Sequence, residues 1–118
     1  MRKPIVAGNW KMNGTLESIR ELVAGLKAGI GEVNVAEVVV CAPAIYIAEA
    51  SALTGGTAIA LGSQDLSNAA SGAYTGEISG SMLNDFNCQY AIVGHSERRH
   101  GRGESDQLVA EKFKAAQD

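Results

Sequence analysis

A chain of 118 residues, 46% of them hydrophobic, holds enough apolar material for one compact core and leaves little for a second. Its formal net charge of -3 excludes a broad electrostatic footprint for nucleic acid, although a local basic cluster can still hold a single phosphate. Cys41 and Cys88 lie in unrelated contexts, with neither CxxC spacing nor the density of a disulfide framework, which predicts reduced thiols. The apolar stretch after Arg2 and Lys3 is interrupted at Gly8 and Asn9, too short for a signal peptide or a membrane span. A cytoplasmic chain with no membrane partner is expected.

In chain order, strand and helix patterns alternate through four rounds, the signature of a parallel α/β sheet. Pro4 to Gly8 reads as the first strand. A helix follows from about Thr15, a plausible N-cap, with Leu16, Ile19, Val23, Leu26 and Ile30 on one stripe. Val38 to Cys41 is a continuously apolar second strand, closed by Ala42 and Pro43, and Ile45 to Leu53 is a short helix. Ala58 to Leu61 opens the third round, which runs into a long Ser, Asn and Gly-rich segment from Ser63 to Ser79. Met82, Leu83 and Phe86 then suggest another short helix. Tyr90 to Val93 is the fourth strand. A last helix is expected from near Ser105, burying Leu108, Val109 and Phe113. With neither a C-cap glycine nor a further strand before Asp118, the end reads as cut rather than finished.

Active sites of parallel α/β sheets are assembled at the carboxyl ends of the strands, so the four exits are where chemistry is sought. The first supplies Asn9, Trp10 and Lys11, and Lys11 suits a phosphate or a developing oxyanion, with Asn9 able to donate a hydrogen bond beside it. The bland alternative is a solvated lysine and a turn-forming asparagine. Ala42 and Pro43 at the second exit carry no reactive group. The third exit leads to Gly72–Glu77, whose Tyr74 is too apolar for a slack linker. A lid, a partner-binding protrusion and a disordered segment are all open there, and the partner-binding reading is preferred.

The fourth exit is the richest. In YAIVGHSERR, Tyr90 to Arg99, Gly94 permits close backbone approach, and a helix starting at Ser96 aims its N–H groups at the His95 ring. That favours a neutral imidazole able to donate to a carbonyl oxygen and to shuttle protons; the alternative is a satisfied structural histidine. Glu97 is positioned to pair with Lys11, and Arg98 and Arg99 to form ion pairs that hold the fold. His95 and Ser96 are sequence neighbours without a third member, which disfavours serine hydrolase chemistry. His95 and His100 lack partners at ligand spacing, so no metal is expected.

GNWKMNG from Gly8 to Gly14, GAYTGE from Gly72 to Glu77 and YAIVGHSERR, followed by Gly103, Glu104, Ser105, Asp106 and the LVAEKF segment from Leu108, together resemble the triosephosphate isomerase family. The resemblance covers essentially the whole chain. It implies a (β/α)8 barrel that interconverts dihydroxyacetone phosphate and glyceraldehyde 3-phosphate through an enediol, in glycolysis and gluconeogenesis, without a cofactor. By the same resemblance Asn9 and Lys11 bind substrate, Glu97 anchors Lys11, Ser96 helps to orient the site, and His95 is the electrophile. Its neutral state is the pattern known for this family. Thr75, with Tyr74 and Gly76 around it, would enter a neighbouring subunit, so a homodimer follows.

A full barrel needs about 250 residues. Four strand and helix rounds therefore predict one incomplete barrel domain over residues 1–118, the first half. The family's glutamate base, its lid and its glycine-rich phosphate loop would lie beyond it. Glu97 is the nearest carboxylate, but pairing with Lys11 lowers its basicity. The isolated chain is accordingly expected to be inactive or very weak, and to need a complementary carboxyl-terminal half. The alternative is a non-catalytic, self-associating half-barrel module whose open sheet edges are covered by further copies. Asp65, where the family commonly has Asn, and Gly101 and Arg102, where it commonly has an aromatic residue nearby, are expected to weaken dimer contacts.

Overall fold

The structure, a computed structural model, describes residues 2–30 and 35–118. Four strands, β1 (Ile5–Asn9), β2 (Glu37–Ala42), β3 (Ile59–Ser63) and β4 (Cys88–Ala91), form one parallel sheet in the order β1-β2-β3-β4. The helices are α1 (Leu16–Ile30), α2 (Ile47–Thr54, entered through a 3-10 turn at Ala44–Tyr46), α3 (Gly80–Asn84), α4 (Ser96–Gly101) and α5 (Asp106–Gln117). Because every strand runs the same way, all four exits open on one rim. Register places Asn9 beside Cys41, Ala42 beside Ser63, and Ser63 beside Ala91.

Local chemistry explains most of the elements. Thr15 caps α1 reciprocally: its Oγ1 accepts from the Ser18 N–H at 3.0 Å, and the Ser18 hydroxyl accepts from the Thr15 N–H at 2.8 Å. Ile19 and Val23 of the expected stripe are buried and Leu26 and Ile30 are half-buried, but Leu16 is exposed, so the stripe starts one turn late. The unbroken apolar run of β2 reflects burial on both faces. One face joins Val40 and Ala42 to Ile47, Ala50, Ile59, Leu61, Leu66 and Leu83. On the other, Gly62 leaves room for its neighbours; a Cβ there would lie 2.8 Å from Cys41 Sγ and 3.4 Å from Tyr90 Cβ. Across that glycine, Tyr90 of β4 donates its hydroxyl proton to Glu37 Oε2 of β2 at 2.6 Å.

Several expectations are corrected. The first strand is Ile5–Asn9 and not Pro4 to Gly8: Pro4 has no N–H for the ladder and contributes only its carbonyl, which accepts from Glu37 N–H at 2.8 Å. The third begins at Ile59, not Ala58, and runs two residues further, to Ser63. The fourth is Cys88–Ala91, not Tyr90 to Val93. The ladder with β3 shifts register at Leu61/Gly62 and ends once Ile92 N–H has reached Ser63 O at 3.0 Å, so the apolar run outlasts the strand. The second helix does not run unbroken from Ile45, since a 3-10 turn precedes Ile47. In α5, Leu108 and Val109 are only half-buried and Phe113 is 58% exposed, while Lys112 is buried in their place.

Both cysteines are free. Burial, and then the neighbouring Cys41, push the Cys88 thiol up to about 11, and burial also raises Cys41. Unfolded thiols release their protons near pH 9, so between about pH 9 and 11 the unfolded chain binds fewer protons than the folded one. Stability is therefore expected to fall as pH rises through that window. Urea midpoints at pH 8 and pH 10.5 for the parent and for Cys88→Ser test this: the pH-dependent drop should shrink in the variant, and an equal drop in both would refute the assignment to Cys88.

Candidate active site

At the β1 exit, Asn9 Oδ1 accepts from the Lys11 N–H at 2.9 Å, which turns the chain so that Lys11 takes φ 56°, a left-handed conformation that a side-chain-bearing residue adopts only when its surroundings impose it. Three further bonds impose it here. Trp10 N–H reaches Cys41 O at 3.1 Å, and Gln64 Nε2 donates both to Lys11 O at 2.8 Å and to Cys41 O at 3.1 Å. Gln64, just past the end of β3, thus clamps the lysine loop to the middle of the rim.

At the β4 exit, Gly94 has φ 66°, and His95 follows as the N-cap of α4. The His95 Nδ1 accepts the Glu97 N–H at 3.0 Å. A ring nitrogen that accepts a hydrogen bond carries no proton of its own, so this geometry fits the tautomer with its proton on Nε2. Glu97 Oε1 lies 3.6 Å from the same Nδ1, beyond hydrogen-bond reach, while its Oε2 is 3.1 Å from Lys11 Nζ. The carboxylate therefore belongs to the lysine. Both partners are more than half exposed, so the pair adds little to stability; its effect is to place the ammonium beside the imidazole.

The structure thus brings Lys11, Glu97 and His95 together at one rim, with Asn9 joined through the Lys11 backbone. The Asn9 side chain serves as an acceptor in this turn, and its amide N–H groups make no hydrogen bond among the described residues. Ser96 is the exposed first residue of α4 and makes no side-chain hydrogen bond among the described residues. Tyr74, Thr75 and Gly76 stand apart as the exposed tip of a loop whose base is closed by Ser67 N–H on Ile78 O at 2.8 Å. Among the described residues no three His, Cys, Asp or Glu side chains gather into a group able to hold a metal.

Arg98 and Arg99 form the ion pairs expected of them. Arg99 Nη1 meets Asp106 at 2.6 Å, and Arg98 meets both Asp65, at 3.0 Å, and Glu104, at 2.8 Å. Asp65 is also 2.8 Å from Lys112, so its charge is balanced inside the chain. Burial pushes the Glu104 carboxyl up, but hydrogen bonds from Lys112 and Arg98 outweigh it and hold the group below its usual range. Burial likewise lowers Lys112, and the hydrogen bonds to Asp65 and Glu104 outweigh it and raise the amine. Sequence reasoning missed both Gln64 and Lys112. The signal for Lys112 was a lysine one turn beyond Leu108, on the apolar stripe of α5.

One parallel sheet with helices, its polar constellation gathered where the strands end, defines a protein of the (β/α)-barrel class, here with four of the eight units. The sequence pattern of triosephosphate isomerase matches residues 4–118. The triosephosphate isomerase of Albidiferax ferrireducens is 55% identical over 116 residues, covering 98% of this chain and 47% of the relative. That of Methylococcus capsulatus is 52% identical, covering 98% and 46%. The crystal structure of triosephosphate isomerase from Bartonella henselae superposes with a TM-score of 0.85 at 39% identity, over 98% of this chain and 48% of that one. This chain belongs to the triosephosphate isomerase family, and it spans about half the length of the curated relatives it matches.

Proposed function

We propose that residues 1–118 form one incomplete barrel domain carrying the substrate-binding and electrophilic half of a triosephosphate isomerase. The Lys11–Glu97–His95 constellation supports this reading most strongly. In the reaction a base removes a proton from the carbon next to the carbonyl, and the electron pair moves onto the carbonyl oxygen to give an enediolate. The His95 Nε2–H donates to that oxygen, and the Lys11 ammonium, held by Glu97, offsets the charge of the phosphate and of the enediolate. Asn9 donates its amide to the substrate, and Ser96 helps to orient the site. Glu97, already bonded to Lys11, is unsuited to be the base. A complementary carboxyl-terminal half supplies that group, in a cytoplasmic homodimer whose subunits meet through Tyr74, Thr75 and Gly76.

An isomerase assay of the chain, alone and mixed with a separately prepared carboxyl-terminal half of a relative, tests the reading. Activity is expected only on mixing, and Lys11→Met is expected to lower kcat/KM of the mixture about 100-fold or more. Full activity of the Lys11→Met mixture would overturn the role of Lys11. The second reading, a self-associating half-barrel module, is favoured by apolar Ile5 and Val6, exposed at 53% and 60% on β1, an edge strand of the sheet formed by the described residues. Inactivity of every combination, together with defined oligomers of the chain alone, would select it.

A further inference from the structure

We propose that Asp65 is a positioning residue for His95, acting through a closed ring of four buried or half-buried charges; the inference rests on His95 being a reacting group. Around the ring, Asp65 Oδ1 is 2.8 Å from Lys112 Nζ, and Lys112 Nζ is 2.7 Å from Glu104 Oε2. Glu104 Oε2 in turn is 2.8 Å from Arg98 Nε, and an Arg98 Nη2 contact with Asp65 Oδ2 at 3.0 Å closes the circuit. Charges alternate in sign, and the two cations balance the two carboxylates. Four places in the chain are tied together: the β3 exit, α4, the turn after it and α5.

Helix α4 has little else to hold it. It is six residues long, far below the length at which a helix is stable by itself, and none of its residues is buried. Its other side-chain anchors are Glu97, paired with Lys11 where both side chains are more than half exposed, and Arg99, bonded to Gly94 O at 2.8 Å and to an Asp106 carboxylate that is 96% exposed. Arg98 is joined directly to the candidate site, since Arg98 N–H and Arg99 N–H both donate to His95 O, at 2.8 and 3.0 Å. Fixing the Arg98 guanidinium therefore fixes the turn that offers the Glu97 N–H to His95 Nδ1.

Asp65 is required in this arrangement because it accepts on both oxygens, one from each cation. An asparagine of the same shape accepts on one only and turns its NH2 toward the other cation, leaving the ring with a net positive charge. Loss of Asp65 should thus release α4 while leaving α1 untouched.

The test is amide hydrogen exchange and 15N NMR of the imidazole in the 118-residue chain. Asp65→Asn is expected to speed exchange of the Glu97 and Arg98 amides at least tenfold while Val23 in α1 changes less than twofold, and to shift the His95 Nδ1 resonance. Asp65→Glu, which keeps both acceptor oxygens, should restore exchange to within threefold of the parent. Unchanged His95 and Glu97 signals in Asp65→Asn, or acceleration that is uniform over α1 and α4, would overturn the proposal. If Asp65→Asn unfolds, the same exchange ratio is read on Arg98→Lys, which keeps its charge but cannot engage two carboxylates as a fork; a ratio near one overturns it. In the reconstituted enzyme, Asp65→Asn is expected to lower kcat with KM unchanged. A moved His95 signal with normal kcat would uphold the link between Asp65 and His95 while refuting the reactive role of His95.

Discussion

Replacement of Lys112 by methionine is expected to destabilise the chain by about 3–5 kcal/mol, the range for removing one partner of a buried ion pair. Methionine matches the length of the lysine stem, so packing is nearly kept and the loss is electrostatic. Glu104, whose side chain is 3% exposed, would keep Arg98 alone, and its Oε1 already lacks a hydrogen-bond partner among the described residues. Removing both ends is expected to be milder: Lys112→Met with Glu104→Gln should cost less than the sum of the single changes, because neither charge is then left unpaired. Urea denaturation of the four species closes the cycle, and additive losses would refute the coupling. The direction of pH dependence follows from the same groups. Glu104 titrates lower when folded, so its contribution is complete above the unfolded value of 4.5 and disappears as pH falls through the folded value. Lys112 titrates higher when folded, so its contribution is complete below 10.5 and is lost as pH rises through the folded value. The parent should therefore lose stability in acid more steeply than the double variant does.

Gly94→Ala is expected to cost about 2–4 kcal/mol, from two separable sources. The backbone there has φ 66°, which an alanine adopts only at a penalty of about 1–2 kcal/mol. The new Cβ would also lie 2.6 Å from Val109 Cγ1 and 3.0 Å from Arg99 Nη2, so α5 or the arginine must give way. Adding Val109→Ala removes the first clash and should recover part of the loss, never all of it, because the dihedral penalty stays. Complete recovery in urea denaturation would show that the conformational argument is wrong. Arg99 Nε also donates to Gly94 O, so the substitution should disturb the residue just before His95.

Short-range chemistry was legible from the letters alone. The apolar run Val38 to Cys41 marked a strand, Thr15 opened α1 where expected, and the polar run after Gly94 and His95 marked a helix from Ser96. The pairing of Lys11 with Glu97 could be expected once both were assigned to exits of one parallel sheet. Strand limits were less readable. Ile92 and Val93 look like β4 by composition, yet the ladder stops at Ala91 because β3 offers no partner beyond Ser63.

What the sequence determined by itself is the alternation of strand and helix, the parallel sheet and the residues gathered at its exits, because these follow from periodicity and caps acting over a few residues. Tertiary structure alone decided that Gln64 holds Lys11 from 53 positions away, that Lys112 and not Phe113 is the buried residue of α5, and that Asp65 closes a ring of charge. The reason is physical: a buried charge is tolerated only where opposite charges meet it, and those partners come from the β3 exit, α4 and the following turn, brought together only when the chain folds.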